Sequence, residues 1–220
     1  MKKWFLFAAM TLLLAACTDQ DDTVKEDVPS GTVNEEQPDD TSTSDPDVEQ
    51  AQELSEYFLE DGAVAHFKGD GIEFSNYKTR TEWLDDRHVN VYEDNGGVEM
   101  IRSFRLEDKK IVILQERPSE EEGDTVTLAD LENMEPIKTY LSFPLEVGNE
   151  IDAWKVIAID EEVETPLQTF TDVIVLEETF DDGAYNRSYF AKGFGEIKRE
   201  YVSEEEDGPF EVTSVIESIE

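Results

Sequence analysis

Cysteine occurs once in these 220 residues, at Cys17, so no intramolecular disulfide can staple the fold and a hydrophobic core must hold it. Histidine occurs twice. His66 and His88 have no cysteine partners and no H-E-x-x-H spacing, which argues against a catalytic zinc site. Ser142, Ser188 and Ser214 lack a nucleophile elbow, and no G-x-x-x-x-G-K-[ST] phosphate loop is present. Basic residues are scarce, 18 Lys and Arg against 55 Asp and Glu, for a formal charge of −37. A field of that sign disfavours nucleic acid or an anionic bilayer as a direct binding surface. With acids this abundant, two neighbouring carboxylates say nothing about paired-carboxylate catalysis. These absences point away from an enzyme, and no cofactor is expected. Weak calcium binding at residues 160–162 or 181–182 is compatible with their acidity, but without a D-x-D-x-D-G loop both read as solvated acidic faces, and the metal assignment stays open.

Long apolar runs are also missing, with one exception. Lys2 and Lys3 precede an apolar stretch over residues 4–16, interrupted only by Thr11, which is short for a membrane span and ends in small residues. This is the pattern of a secretion signal over residues 1–16. Leu14-Ala15-Ala16-Cys17 resembles the lipobox of bacterial lipoproteins, which implies cleavage before Cys17 and a lipid on its thiol. The expected location is therefore the extracytoplasmic side of the cell membrane, held by that anchor. Residues 18–49 carry twelve acids against one lysine, three prolines and no aromatic residue. Such a segment cannot bury enough apolar surface to offset the entropy of ordering, so residues 17–50 are expected to be a lipidated cysteine followed by a disordered acidic tether. Roughly thirty residues at coil dimensions reach about 30 Å, and charge repulsion extends that. Forty-three of the 55 acids nevertheless lie from Ala51 onward, so the acidic excess belongs to the folded part as well.

Residues 51–220 suffice for one β-rich domain, or for two similar halves at about 57–118 and 136–203. Short β-branched and aromatic runs over residues 63–67, 89–92, 98–104 and 110–114 read as strands, and so do 139–143, 153–159, 168–177, 184–191 and 197–201. Asn95-Gly96-Gly97 is a strong hairpin turn, Asp108-Lys109 and Asp181-Asp182-Gly183 mark further tight connections, and residues 128–131 suit one helical turn. Residues 53–59 look helical and could cap the domain. Residues 211–219 fit either a helical turn or a closing strand, with β-branching favouring the strand. The expected fold is mainly β: antiparallel meanders forming a curved sheet or open barrel-like halves, with one or two short helices. Gly69-Asp70-Gly71 and Gly193-Phe194-Gly195 read as structural corners, in which glycines let the backbone turn tightly while an aromatic ring packs inward. Trp83 and Trp154 read as core or half-core side chains.

Pro144-Leu145, Gly148, Trp154, residues 163–166, Phe170 and residues 173–175, followed by Tyr189-Phe190-Ala191-Lys192-Gly193-Phe194-Gly195-Glu196-Ile197-Lys198, together resemble the β-rich domain of uncharacterised secreted lipoproteins of Gram-positive, Bacillus-like bacteria. Residues 67–74 and 95–97 extend the resemblance. It implies an extracytoplasmic β domain and brings no established chemistry. Leu167-Gln168 stands where that family has Ala-Gly, and Glu196 replaces a commonly apolar residue, which reads as the adaptation of an exposed edge.

Two classes of function fit. One is a membrane-anchored binding or structural module of the cell envelope, contacting an envelope protein or polymer. The other is a carrier or chaperone in which a curved sheet holds an apolar ligand or lipoprotein against a covering helix, and unfilled apolar space is the feature that separates the two. Anchoring makes its own prediction: Cys17→Ala moves the protein out of the membrane fraction of expressing cells, whereas equal membrane fractions for both chains contradict lipidation at Cys17.

Overall fold

The structure is a computed structural model that describes residues 53–121, 123–206 and 208–220. The expected signal segment, Cys17 and the expected tether lie outside the described residues. The described chain opens with a helical turn at residues 53–55 and continues through β1 (Val64–Asp70), β2 (Tyr77–Trp83), β3 (His88–Asp94), β4 (Glu99–Glu107), β5 (Lys110–Pro118), the short helix α1 (Leu128–Leu131) and β6 (Lys138–Ser142). After β6 come β7 (Glu150–Ile151), β8 (Trp154–Glu164), β9 (Thr169–Thr179), β10 (Tyr185–Ala191), β11 (Gly195–Glu205) and β12 (Gly208–Ile219). All twelve strands form one sheet in the order β6-β5-β4-β3-β2-β1-β12-β11-β10-β9-β8-β7, and every pairing is antiparallel.

The order explains the architecture. Each run of six strands is a meander whose neighbours in sequence pair, mostly through short turns, with the longer β5–β6 connection carrying α1, and the first strand pairs with the last to join the two runs. The edges of the sheet are β6 and β7, which follow one another in the chain. Across that seam the backbone N–H of Thr139 donates to the Asp152 carboxylate at 2.8 Å, and the Tyr140 ring on β6 meets Phe190 on β10 edge-on at 5.4 Å. The sheet thus curls into a nearly closed antiparallel barrel, which leaves little unpaired edge.

Residues 211–219 lie within β12, so β-branching decided correctly between strand and helix. The strand β2 was not anticipated, because Lys78, Arg80 and Glu82 dilute its apolar content. Its inward set is Tyr77, Thr79 and Thr81, all buried, which is a period-two pattern carried partly by threonine. The helix at residues 128–131 is present, with Thr127 and Asp130 forming a reciprocal capping box.

Three apolar clusters hold the domain. At one end of the lumen Leu54, Tyr57 and Phe58 from the opening segment plug the barrel, packing against Val89, Phe104, Leu106, Ile111, Leu141, Val156, Ile174 and Phe190. A second cluster gathers Phe67, Tyr77, Val173, Val175, Ile197 and Ile216 around the junction of the two meanders. The third lies outside the barrel, where Val126 and Leu131 of the β5–β6 connection cover Tyr92, Ile101, Val112 and Leu114. A β-bulge on β5 serves both faces: Leu114 joins the outer cluster, Gln115 bonds the Ser103 hydroxyl at 3.0 Å, and Glu116 returns to the lumen opposite Arg102.

The lumen also contains charge. Arg199 on β11 reaches Glu93 on β3 at 2.8 Å, although three strands lie between them in the sheet. Glu93 is also 3.0 Å from Arg102, which holds Glu116 at 2.8 Å, and Glu116 is 2.7 Å from Lys138. A register shift on β11 brings Glu196 to the Arg199 Nε. Glu196 therefore belongs to the interior network, with its side chain 12% exposed, and the exposed-edge expectation fails. Beside the network the Arg199 guanidinium lies 4.8 Å over the Tyr77 ring, and that ring stacks on Phe67 at 4.4 Å.

Burial alone would raise the Glu93 carboxyl, but Arg199 and then Arg102, by attraction and by hydrogen bonding, outweigh it and bring the pKa down to about 2 from 4.5. The folded value lies below the unfolded one, so this contribution is complete above pH 4.5 and is lost as pH falls toward 2. Glu93→Gln should cost roughly 3 kcal/mol at neutral pH. In urea melts across pH, the wild-type advantage should hold to about pH 5 and shrink below it. An advantage unchanged at about pH 3 contradicts this placement of the charge.

Candidate functional site

The plug that closes the barrel end also shapes its mouth. The opening segment is pinned where the Gly193 N–H donates to the Glu56 carbonyl at 2.6 Å, the Trp83 indole N–H donates to the Leu59 carbonyl at 3.0 Å, and Lys192 pairs with Glu56 at 3.0 Å. Gly195, at φ +74°, permits the approach: a Cβ there would lie 2.6 Å from the Tyr57 carbonyl oxygen. Its neighbour Phe194 packs edge-on against Phe170 at 4.8 Å. The corner expected at residues 193–195 is therefore also the seat of the capping segment.

Beside the cap lies a groove of about 890 Å³, bounded by the β4–β5 turn, the segment after β6, the start of β9 and the β10–β11 turn. Its apolar wall includes Tyr57, Phe143, Leu145, Ile159, Phe170 and Ile174. The Tyr57 and Phe143 rings meet at 5.1 Å. The Lys109 ammonium at the rim makes no hydrogen bond or ion pair among the described residues, while Lys192 is already engaged by Glu56. Lys109 occupies the tight connection expected between β4 and β5, at φ +58°, and its carbonyl accepts a 2.7 Å hydrogen bond from the Phe143 N–H. This bond ties the turn to the wall. Burial raises the pKa of Tyr57, so its phenol stays neutral.

The other glycine positions are structural. In the β3–β4 hairpin the Asn95 side chain accepts from the N–H groups of Gly97 and Val98, each at 3.0 Å, and Gly96 takes φ +80°. Gly69 and Gly71 give close passage to the 3₁₀ turn at Glu73–Ser75 and to Glu211 of β12. None of these glycines except Gly193 and Gly195 borders the capping segment.

The two histidines are far apart in role. His88 Nδ1 lies 2.9 Å from Asp85, and His66 Nε2 lies 3.5 Å from Glu220. Among the described residues no group of three or more His, Cys, Asp or Glu side chains is placed to hold a metal ion. Asp160, Glu161 and Glu162 lie on β8, and Asp182 accepts from the Ala184 N–H in the β9–β10 turn at 3.1 Å. Ser214 donates to the Ser75 carbonyl. Trp83 and Trp154 both pack against the plugged core, as expected of half-core side chains.

The groove itself was not singled out from sequence, because its apolar wall draws one to three residues from each of five separate segments. The one available signal was Pro144-Leu145, Phe170 and Phe194 recurring within the motif series, each apolar and close to a turn.

The chain matches no family model, and no curated protein matches it. Two solved structures resemble it. One is described as an exported protein with a YmcC-like fold from Bacteroides fragilis NCTC 9343; it is 13% identical, with 74% of this chain and 98% of that chain covered and a TM-score of 0.45. The other is described as a lipoprotein from Parabacteroides distasonis ATCC 8503, 10% identical, with 75% and 98% covered and a TM-score of 0.46. At these scores the likeness assigns neither a family nor a ligand, and neither name speaks to the Gram-positive group of the sequence resemblance.

Proposed function

We propose that this protein is a lipid-anchored extracytoplasmic carrier that holds the apolar part of an amphiphile in the groove beside its capping segment. The observation that carries this reading is the groove of about 890 Å³, with an aromatic and aliphatic wall and the unpartnered Lys109 at its rim. Hydrocarbon burial supplies the affinity, at about 0.8 kcal/mol per buried methylene. Lys109 supplies orientation: in a chain of charge −37, a cation without a partner at the groove rim attracts an anionic head group to its side of the mouth, away from Glu53 and Asp172, which also line it. Anchoring at Cys17 and the acidic tether, both read from sequence, would keep the domain near the membrane yet clear of lipid head groups.

The test uses dodecanoate and dodecanol as probes in calorimetric titrations of the full chain. Dodecanoate should bind saturably with a dissociation constant on the order of micromolar, and Lys109→Glu should weaken it about tenfold. Dodecanol should be insensitive to that substitution, because it lacks the anionic head. Lys109 is exposed in a turn, so its replacement leaves the core intact. Absence of saturable binding by both probes overturns the carrier reading and leaves the surface module of the envelope.

A further inference from the structure

A second space lies inside the barrel, on the side of the ion network away from the plug. It measures about 430 Å³ and shares no lining residue with the groove. Three aromatic side chains border it, Tyr140, Trp154 and Phe190. The charged groups around it are already compensated: Arg102 and Arg199 by Glu93, Lys138 by Glu116 at 2.7 Å, and Arg187 by Glu177 at 2.8 Å. Its neutral polar groups are not. The Tyr140 hydroxyl, the Ser188 hydroxyl, the Asn186 side chain and the Trp154 indole N–H make no hydrogen bond to any described residue. Ser188 is buried, and Tyr140, Trp154 and Asn186 are half-buried.

Four polar groups with no hydrogen-bond partner among the described residues converge on one cavity, so a ligand can pair with them without displacing an internal hydrogen bond. The chemistry they select is specific. An anion finds its cations occupied and five carboxylates, those of Glu116, Asp152, Glu178, Glu196 and Glu200, around it. A hydrocarbon leaves the polar groups unpaired. A neutral molecule rich in hydroxyls satisfies them, and the aromatic faces give its C–H edges a stacking surface. We infer that this cavity is a binding site for a neutral saccharide of one or two sugar rings, independent of the groove proposed for amphiphiles.

The experiment is calorimetric titration of the full chain with maltose, cellobiose and N,N′-diacetylchitobiose, with citrate as the anionic comparison. At least one disaccharide should saturate a single site, citrate should not bind, and Tyr140→Phe, which removes one hydroxyl and keeps the ring, should weaken binding about tenfold. Ser188→Ala provides a second variant with a hydroxyl removed, and thermal melts establish that both variants fold. Lys109→Glu should leave saccharide binding unchanged, so failure of the carrier reading does not touch this one. The inference is overturned if no disaccharide saturates the protein by about 10 mM, if citrate binds more tightly than every disaccharide, or if both folded variants bind as the wild type does.

Discussion

The ion pair between Glu93 and Arg199 crosses the lumen, and the arrangement of the rest of the barrel follows from it. Two charges leave water to make this contact, and removing a carboxylate or a guanidinium from solvent costs several kcal/mol. Compensation comes from the company they keep: Glu93 accepts from two guanidinium groups, Arg199 also holds Glu196, and Arg102 also holds Glu116. An apolar pair of similar volume could hold the same strands together. What the ions add is selectivity, because only the observed curvature and register bring all their partners within reach, and a slip by one residue would strand a charge in the interior.

The network also divides the interior. Toward the capping segment the lumen is filled by Tyr57, Phe58, Phe104 and Phe190, with a void of about 50 Å³ between plug and network. Toward the β7–β8 turn the wall becomes mixed, aromatic and polar. A chain with 18 basic residues against 55 acidic ones places three of those cations, Arg102, Lys138 and Arg199, at this interior boundary. Their charges are neutralised locally, so the acidic field of the outer surface coexists with a nearly balanced lumen. The polar cavity borders this network, whereas the apolar groove shares no lining residue with it.

Much of the fold was legible because strand pairing is a local matter here. Each meander joins neighbours through turns that announce themselves, Asn95-Gly96-Gly97 and Asp181-Asp182-Gly183 among them, and period-two patterns of valine, isoleucine and phenylalanine mark most strands. The strand β2 was hidden because Thr79 and Thr81 do the inward packing that valine does elsewhere. The β1–β12 pairing joins residues about 150 positions apart, and no local signal announces it. The interior charges were hidden for a different reason. Acidic residues are so common in this sequence that Glu93 and Glu196 could not be told from surface acids, although Val89, Val91 and Glu93 alternate on one face of β3 and pointed inward together. The bulges that turn Glu116 and Glu196 into the lumen have no marker in the sequence. The groove was illegible as a site, since its wall exists only once five segments are brought to one end of the barrel.

The most direct test of the cross-lumen contact is a double-mutant cycle on the full chain, with Glu93→Gln, Arg199→Gln and the double variant compared by urea unfolding at neutral pH. Each single substitution leaves a buried charge short of a partner, and the double one removes both ends of the pair. A coupling energy of about 1.5 kcal/mol or more, with the double variant losing less than the sum of the singles, is the result the structure predicts. Losses that add to within about 0.5 kcal/mol would show that Glu93 and Arg199 do not hold the two meanders together across the lumen.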